Sequence, residues 1–287
     1  MTRRRIDASL VGLELPPMLH RWTRRDVILY ALGVGATAAD LDLVYEARGP
    51  RVLPTYAVIP SSHFLPGFLE AVDFELGNLL HGEQSIMLHR PIPAEAAVES
   101  TRRCVAVWDK GGAAVIVWES VSSDADGPLF TTTSASFVRG AGGFGGDRGP
   151  SGARNAPPER APDVTLAVAT HPDQAALYRL SGDLNPMHID PEMARSFGYE
   201  RPFLHGLCTY GVVARAVVAA VCDGVPERLE AYEARFAGLV YPGDTLNVRV
   251  WRTADDEAVL DAQTERGPAL NGARMRFRRA AWSARSR

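Results

Sequence analysis

Apolar and polar positions along the chain follow two kinds of pattern, and each half of the sequence shows both. In the first half, residues 24–32 have helical character behind Thr23, which suits an N-cap. Residues 104–108 and 113–121 are β-branched runs on either side of Asp109-Lys-Gly-Gly112, a hairpin signal. Residues 130–138 read as a further strand, rich in Thr. In the second half, residues 173–180 read as helix, and Asp190-Pro191 is a good N-cap and first-turn pair for a short one. Residues 207–222 are long, apolar and rich in Ala and Val, the pattern of a helix buried on most sides. Residues 232–240, 245–252, 258–265 and 269–278 read as strands. The pattern alone gives mixed α and β, with helix first and strands after in each half.

Between the halves, residues 140–162 are Gly-rich and then rich in Pro, Arg and Ala, the composition of a linker. The halves echo each other. Thr23-x-x-Asp26 with Tyr30-x-Leu32 matches Thr170-x-x-Asp173 with Tyr178-x-Leu180, and Pro93-Ala-Glu95 matches Pro242-Gly-Asp244. The offsets, by subtraction of residue numbers, are 147 to 149, which fits a duplication.

Composition narrows the classes. Hydrophobic residues make up 46% of 287 residues, enough for a sizeable core. A net charge of -3 argues against a nucleic-acid or anionic-membrane surface, which needs a basic excess. The three cysteines, Cys104, Cys208 and Cys222, contain no CxxC and read as buried free thiols rather than a disulfide framework or zinc ribbon. No run reaches the roughly 18 apolar residues of a membrane span, since Arg215 interrupts 212–221. The N-terminus lacks the apolar core of a signal peptide, and Ser283-Ala-Arg-Ser-Arg287 is not a Ser-Lys-Leu peroxisomal address. A cytoplasmic protein is expected.

The candidate chemistry lies in Tyr178-Arg-Leu-Ser-Gly-Asp-Leu-Asn-Pro-Met-His188. Asp183 and His188 are five apart, a poor offset for one helix face, so they converge only if the backbone turns. Gly182 and Asn185-Pro186 supply that turn. An acid and a histidine held on a tight loop can orient one water. Read on their own, Asp183 is either a base or an acid closing a turn. His188 is either a proton handler, a satisfied buried histidine, or half of a metal site with Asp190. Two ligands without a third at metal spacing make the metal reading weak, and none is expected.

The same run resembles the signature of the type 2 enoyl-CoA hydratases, MaoC-like members of the hot-dog superfamily. Tyr30-Ala-Leu-Gly-Val-Gly-Ala36, Leu80-His-Gly-Glu-Gln84, Gly142-Gly-Phe-Gly-Gly146, His205-Gly-Leu-Cys-Thr209 and Tyr241-Pro-Gly-Asp244 extend the likeness to the hydratase part of peroxisomal multifunctional enzymes of type 2. The resemblance implies an α+β double hot-dog: an N-terminal repeat over 1–140, a linker over 141–162 and a catalytic repeat over 163–287. It implies reversible addition of water to a trans-2-enoyl-CoA, giving a (3R)-3-hydroxyacyl-CoA. CoA is part of the substrate, no cofactor is needed, and a homodimer is expected.

By the same resemblance Asp183 and His188 hold and activate the water, Asn185 holds the water or the loop, and the Gly206 amide stabilises the thioester oxygen. Substrate contacts fall on His81, Gly82, Lys110, Leu184, Pro186, Met187 and Phe236, with Glu46 as support from the first repeat. At the repeat-equivalent place the first half carries Gly33-Val-Gly-Ala36, with neither acid nor histidine. One active site per chain is therefore expected, with the first repeat accommodating the acyl group. The alternatives are an acyl-CoA thioesterase or a non-catalytic acyl-CoA-binding module on the same fold; the intact Asp183–His188 loop weighs against both.

Overall fold

The computed structural model describes residues 3–62, 65–152 and 154–278. The Arg-rich tail at 283–287 lies outside the described residues. Among the described residues, ten strands and seven α-helices follow one another in two parallel series. The first series is β1 (Glu14–Trp22), α1 (Arg24–Gly33), α2 (Leu41–Val44), α3 (Val58–Ser62), α4 (Leu65–Ala71), β2 (Leu79–Leu88), β3 (Ala96–Asp109), β4 (Ala113–Asp124) and β5 (Gly127–Arg139). The second is β6 (Val164–Ala169), α5 (Gln174–Tyr178), α6 (Pro191–Ser196), α7 (Gly206–Val221), β7 (Leu229–Phe236), β8 (Thr245–Ala254), β9 (Glu257–Thr264) and β10 (Gly267–Phe277).

The strands form one antiparallel sheet in the order β1-β3-β4-β5-β2-β7-β10-β9-β8-β6. The order of one series mirrors that of the other about the β2–β7 pair. There Glu83 lies opposite Arg235, and the two side chains close an ion pair at 2.8 Å. A cross-strand pair of opposite charge at the seam favours this register over slippage.

Each half opens with a strand before its helix, β1 and β6, where sequence patterning predicted helix first. Pro16-Pro17 removes two donors from β1, which is tolerated because β1 is an edge strand. The strand β6 is short and also at an edge. Strand β2 likewise lies outside the strands that patterning predicts.

The helix α7 is apolar on nearly every side because it lies against β6, β7 and β8 on one flank and the 3-10 turn Pro54–Ala57 on the other. The corresponding stretch of the first half is broken into that turn, α3 and α4. Pro54, Pro60 and Pro66 each lack the N–H that a continuous helix requires. One core spans both halves: Tyr30 and Tyr56 of the first half pack with Tyr178, Tyr210 and Tyr232 of the second. A smaller core, with Leu10, Phe68, Ile116 and Trp118, lies under the first half.

Among its described residues the connection between the halves has no helix or strand, yet it is fastened to the sheet. The Asp109 carboxylate accepts hydrogen bonds from the backbone N–H of Gly111, Gly143 and Gly145 at 2.7–2.8 Å. Lys110 Nζ donates to the carbonyls of Arg148 and Pro150, and Trp251 Nε1 donates to Arg160 O at 2.8 Å. The Gly143 and Gly111 amides hold the Asp109 pKa down to about 2. A carboxylate whose folded pKa is depressed contributes stability above its unfolded value and loses it only as pH falls through the folded one. The staple therefore survives ordinary acidification and fails as pH falls through about 2. Replacing Asp109 by Asn is expected to open the connection at neutral pH, so that trypsin cuts at Arg148, Arg154 or Arg160 faster than in the wild type. Equal digestion rates would refute this.

Candidate active site

The loop after α5 brings the site together. The 3-10 turn Arg179–Ser181 ends on Gly182 at φ 128, a backbone conformation that glycine adopts without a Cβ clash. Asp183 Oδ1 accepts the Asn185 N–H at 3.1 Å, and Asn185 Oδ1 accepts the Met187 N–H at 3.2 Å, capping the 3-10 turn Pro186–His188. Of the two roles open to Asn185, its carbonyl oxygen takes the loop-holding one. The turn swings His188 inward to 8% exposure, while Leu184 at 58% stands in solvent.

His188 Nδ1 lies 2.9 Å from Phe203 O. A carbonyl only accepts, so Nδ1 carries the proton and Nε2 is a bare lone pair. His205, 2% exposed, donates from Nε2 to the main-chain carbonyl of Asp183 at 3.1 Å by the same argument. The two imidazoles stack with centroids 3.8 Å apart and planes 32° apart. Burial lowers the pKa of His188, outweighing the attraction of the Asp183 charge. Burial and then the neighbouring His188 lower that of His205 as well. Both rings are therefore neutral at physiological pH.

Asp183, His188 and His205 each offer a ligand atom, and these lie within 4.8 Å of one another. By composition the three could hold a metal ion. Two of the four ring nitrogens are already committed to carbonyls, however, which leaves one lone pair on each ring. The arrangement suits a water better, because water brings two donors to a set of acceptors. His205 is the residue that sequence spacing missed as a member of this cluster. It is 22 positions from Asp183, and its only signal was its place beside Gly206.

Gly206 is the first residue of α7, with His205 at the N-cap. A first-turn amide has no partner within its helix and sits at the positive end of the helix dipole. A Cβ on Gly206 would lie 3.1 Å from Phe236 Cδ1 and 3.2 Å from Cε1, so glycine is what lets the half-buried Phe236 ring lie against the helix start. The other edge of this contact is His81, whose ring meets Phe236 edge-on at 4.9 Å. His81 and Gly82 sit at an irregularity in the β2–β5 pairing, where a Cβ on Gly82 would come within 3.2 Å of Ala135 O. Thus His81, Gly82, Phe236 and Gly206 form one continuous wall running from the first half into the second.

Pro186 and Met187 lie on the Asp183–His188 loop, Pro186 exposed and Met187 half-buried. Lys110 stands apart from the cluster, at the β3–β4 hairpin, with its ammonium on the connection's carbonyls and 5.5 Å from the Trp108 ring centroid. Glu46 lies exposed in the 3-10 turn Glu46–Arg48 and makes no hydrogen bond or ion pair with the Asp183–His188–His205 cluster among the described residues. Leu180, Leu184 and Ile189 give the loop an exposed apolar rim.

Comparison with known proteins agrees with this geometry. Residues 20–140 match the MFE-2 hydratase 2 N-terminal domain, and residues 153–267 match the MaoC like domain. The chain is 44% identical over 256 residues to the enoyl-CoA hydratase ChsH3 of Mycobacterium tuberculosis, covering 86% of this chain and 89% of that protein. A MaoC-like dehydratase crystal structure from Phytophthora capsici superposes with a TM-score of 0.88 at 30% identity, over 98% of this chain and 100% of that one. A further M. tuberculosis protein described as having a double hotdog fold matches at 12% identity and a TM-score of 0.59, covering 92% and 95% of the two chains, which supports the fold alone. The mirrored ten-stranded sheet, the helix start beside an aspartate–histidine loop and these likenesses agree: this chain belongs to the MaoC-like dehydratase family of the double hot-dog fold and, within it, to the type 2, R-specific enoyl-CoA hydratases, which are hydro-lyases acting on acyl-CoA thioesters.

Proposed function

We propose that Asp183 and His188 hydrate the trans-2-enoyl-CoA double bond by holding one water between two acceptors. The observation that carries this is the tautomer of His188: with Nδ1–H on Phe203 O, Nε2 accepts, as the Asp183 carboxylate does. A water donating both hydrogens to that pair directs a lone pair outward, toward C3. As the C3–O bond forms, the pair takes one proton from the water and returns one to C2. Negative charge moves onto the thioester oxygen, where the Gly206 amide meets it; one such donor is typically worth about 3 kcal/mol. The wall of His81, Gly82 and Phe236 borders the acyl thioester. Lys110, on the hairpin, suits a CoA phosphate. The first half, with its interrupted helix, accommodates the acyl chain, and Glu46 supports from that side. Leu184, Pro186 and Met187 flank the substrate at the rim.

CoA enters as part of the substrate, and the reaction needs no cofactor. Among the described residues no helix is long and apolar enough to cross a membrane. The family reading carries a homodimer and a cytoplasmic setting; light scattering on the purified 31.1 kDa chain tests the first.

The decisive experiment follows loss of enoyl-thioester absorbance with crotonyl-CoA and trans-2-decenoyl-CoA, with chiral analysis of the product. Consumption giving a (3R)-3-hydroxyacyl-CoA is expected. Release of free CoA instead would overturn the reading in favour of a thioesterase. The same assay gives the pH dependence. His188 acts neutral and its pKa is lowered by burial, so the acidic limb of kcat should fall below the ordinary histidine value of about 6.5. A limb attributable to His188 above 6.5 would contradict the buried, neutral ring.

A further inference from the structure

His205 touches each part of the site. Its Nε2–H holds the Asp183 carbonyl at 3.1 Å, its ring stacks on His188 at 3.8 Å, and it is the N-cap from which Gly206 begins α7. Tyr178 closes the remaining side, with ring centroids 5.0 Å apart. The side chain is 2% exposed, and Nδ1 is buried with no hydrogen-bond partner among the described residues. An unsatisfied buried acceptor costs stability unless the position serves something else. A histidine kept here for packing alone would be matched by an apolar residue of the same shape, which would not leave a lone pair buried.

We propose that His205 is a positioning residue for hydration: its Nε2–H fixes the main chain at Asp183, and its ring fixes the plane of the His188 imidazole, so that both groups face one water. The proposal rests on the reading of Asp183 and His188 as the catalytic pair. It follows from two facts about their own supports. Among the described residues the Asp183 carboxylate is hydrogen-bonded within its own loop, to the Asn185 N–H, and that bond does not refer it to α7. His188 is pinned at one nitrogen, Nδ1, and meets the Phe203 ring edge-on at 4.8 Å, which leaves its plane to be set by what lies on its face. His205 supplies both missing constraints from the helix that also carries the Gly206 amide. The three elements of the site are then referred to one rigid body. Neutrality matters to this role. A charged ring stacked on His188 would oppose its taking a proton, and burial keeps His205 uncharged among its titratable and charged neighbours, His188, Asp183, Arg179 and Tyr178.

Three substitutions separate the two contacts. Gln at 205 can place an N–H near the Nε2 position but has no ring; Phe keeps the ring on His188 and has no donor; Ala removes both. The readout is kcat, KM and the pH profile with trans-2-decenoyl-CoA, alongside melting temperature. Displacing catalytic groups by about 1 Å costs on the order of a hundredfold. H205A is expected to lose about a hundredfold in kcat with KM within about twofold, and H205Q and H205F about tenfold each. In H205A, water reaching the exposed face of His188 relieves its burial, and the acidic limb moves up; in H205F, which keeps that face covered, it stays.

Should H205A fail to fold, the Gln and Phe variants carry the test. Wild-type kcat in both of them, or losses in kcat that only follow the folded fraction with an unmoved pH profile in H205A, would overturn the proposal. Asp183→Asn is measured in the same series. If it loses activity while the His205 variants keep theirs, His205 alone has been misread. If it keeps activity, the catalytic reading fails and the positioning role with it.

Discussion

Asp183→Asn is expected to lower kcat by at least about a thousandfold while leaving the protein folded. The substitution is close to isosteric, and its carbonyl oxygen can still accept the Asn185 N–H that Asp183 Oδ1 accepts at 3.1 Å, so the loop keeps its shape. What changes is the second atom. A carboxylate presents acceptors on both oxygens, whereas an amide presents an N–H₂ toward one side. The water then meets a donor where it met an acceptor, and the negative charge that drew its proton is gone. His188 Nε2 remains, so the water is still bound at one end but is neither oriented nor fully activated. The first half has Gly33-Val-Gly-Ala36 at the repeat-equivalent place, so no second acid can substitute. Residual turnover above about a thousandth of wild type, measured by enoyl-thioester absorbance at saturating substrate, would show that Asp183 is not the principal base.

Gly206→Ala is expected to cost about a hundredfold in kcat, with a smaller rise in KM. The group at issue is a main-chain N–H, which no side-chain change removes; it can only be displaced. The added Cβ would sit 3.1–3.2 Å from the Phe236 ring, which packs edge-on against His81 on its far side at 4.9 Å. Either the ring or the helix start must yield by a few tenths of an ångström. If Phe236 yields, the wall beside the thioester shifts. If α7 yields, the amide leaves the line to the thioester oxygen. An oxyanion donor acts only on the charge that develops in the transition state, so the loss belongs mainly in kcat. A variant with unchanged kcat and a raised KM would move Gly206 from oxyanion stabilisation to simple steric fit. An unchanged enzyme would remove it from the site.

How much of this was legible in the sequence differs from element to element. The buried helix α7 was, because an apolar run of that length with no strand-like punctuation has few other readings. So was the β3–β4 hairpin, where Asp109-Lys-Gly-Gly112 marks the turn. The edge strands β1 and β6 were not, since Pro16-Pro17 in one and brevity in the other erase the local signal, and only their neighbours β3 and β8 make them strands. The linker composition of 140–162 concealed a segment held by Asp109 and Lys110, because a carboxylate accepting the distant amides of Gly143 and Gly145 leaves no periodic trace.

By itself the sequence determined the local chemistry: an acid and a histidine five apart on a loop that Gly182 and Asn185-Pro186 must turn, and a glycine at the head of an apolar helix. These follow from backbone sterics and residue type, which act over a few residues. Only the tertiary structure decided which nitrogen of His188 is bare, since that depends on Phe203 O, and which residue braces the pair, since His205 reaches Asp183 across 22 positions. The tertiary structure likewise decided that His81 of the first half lies against Phe236 of the second, because the β2–β7 seam joins them. Proton position, ring stacking and cross-repeat contact depend on distances between groups far apart in the chain, and those distances exist only once the sheet has closed over its shared core.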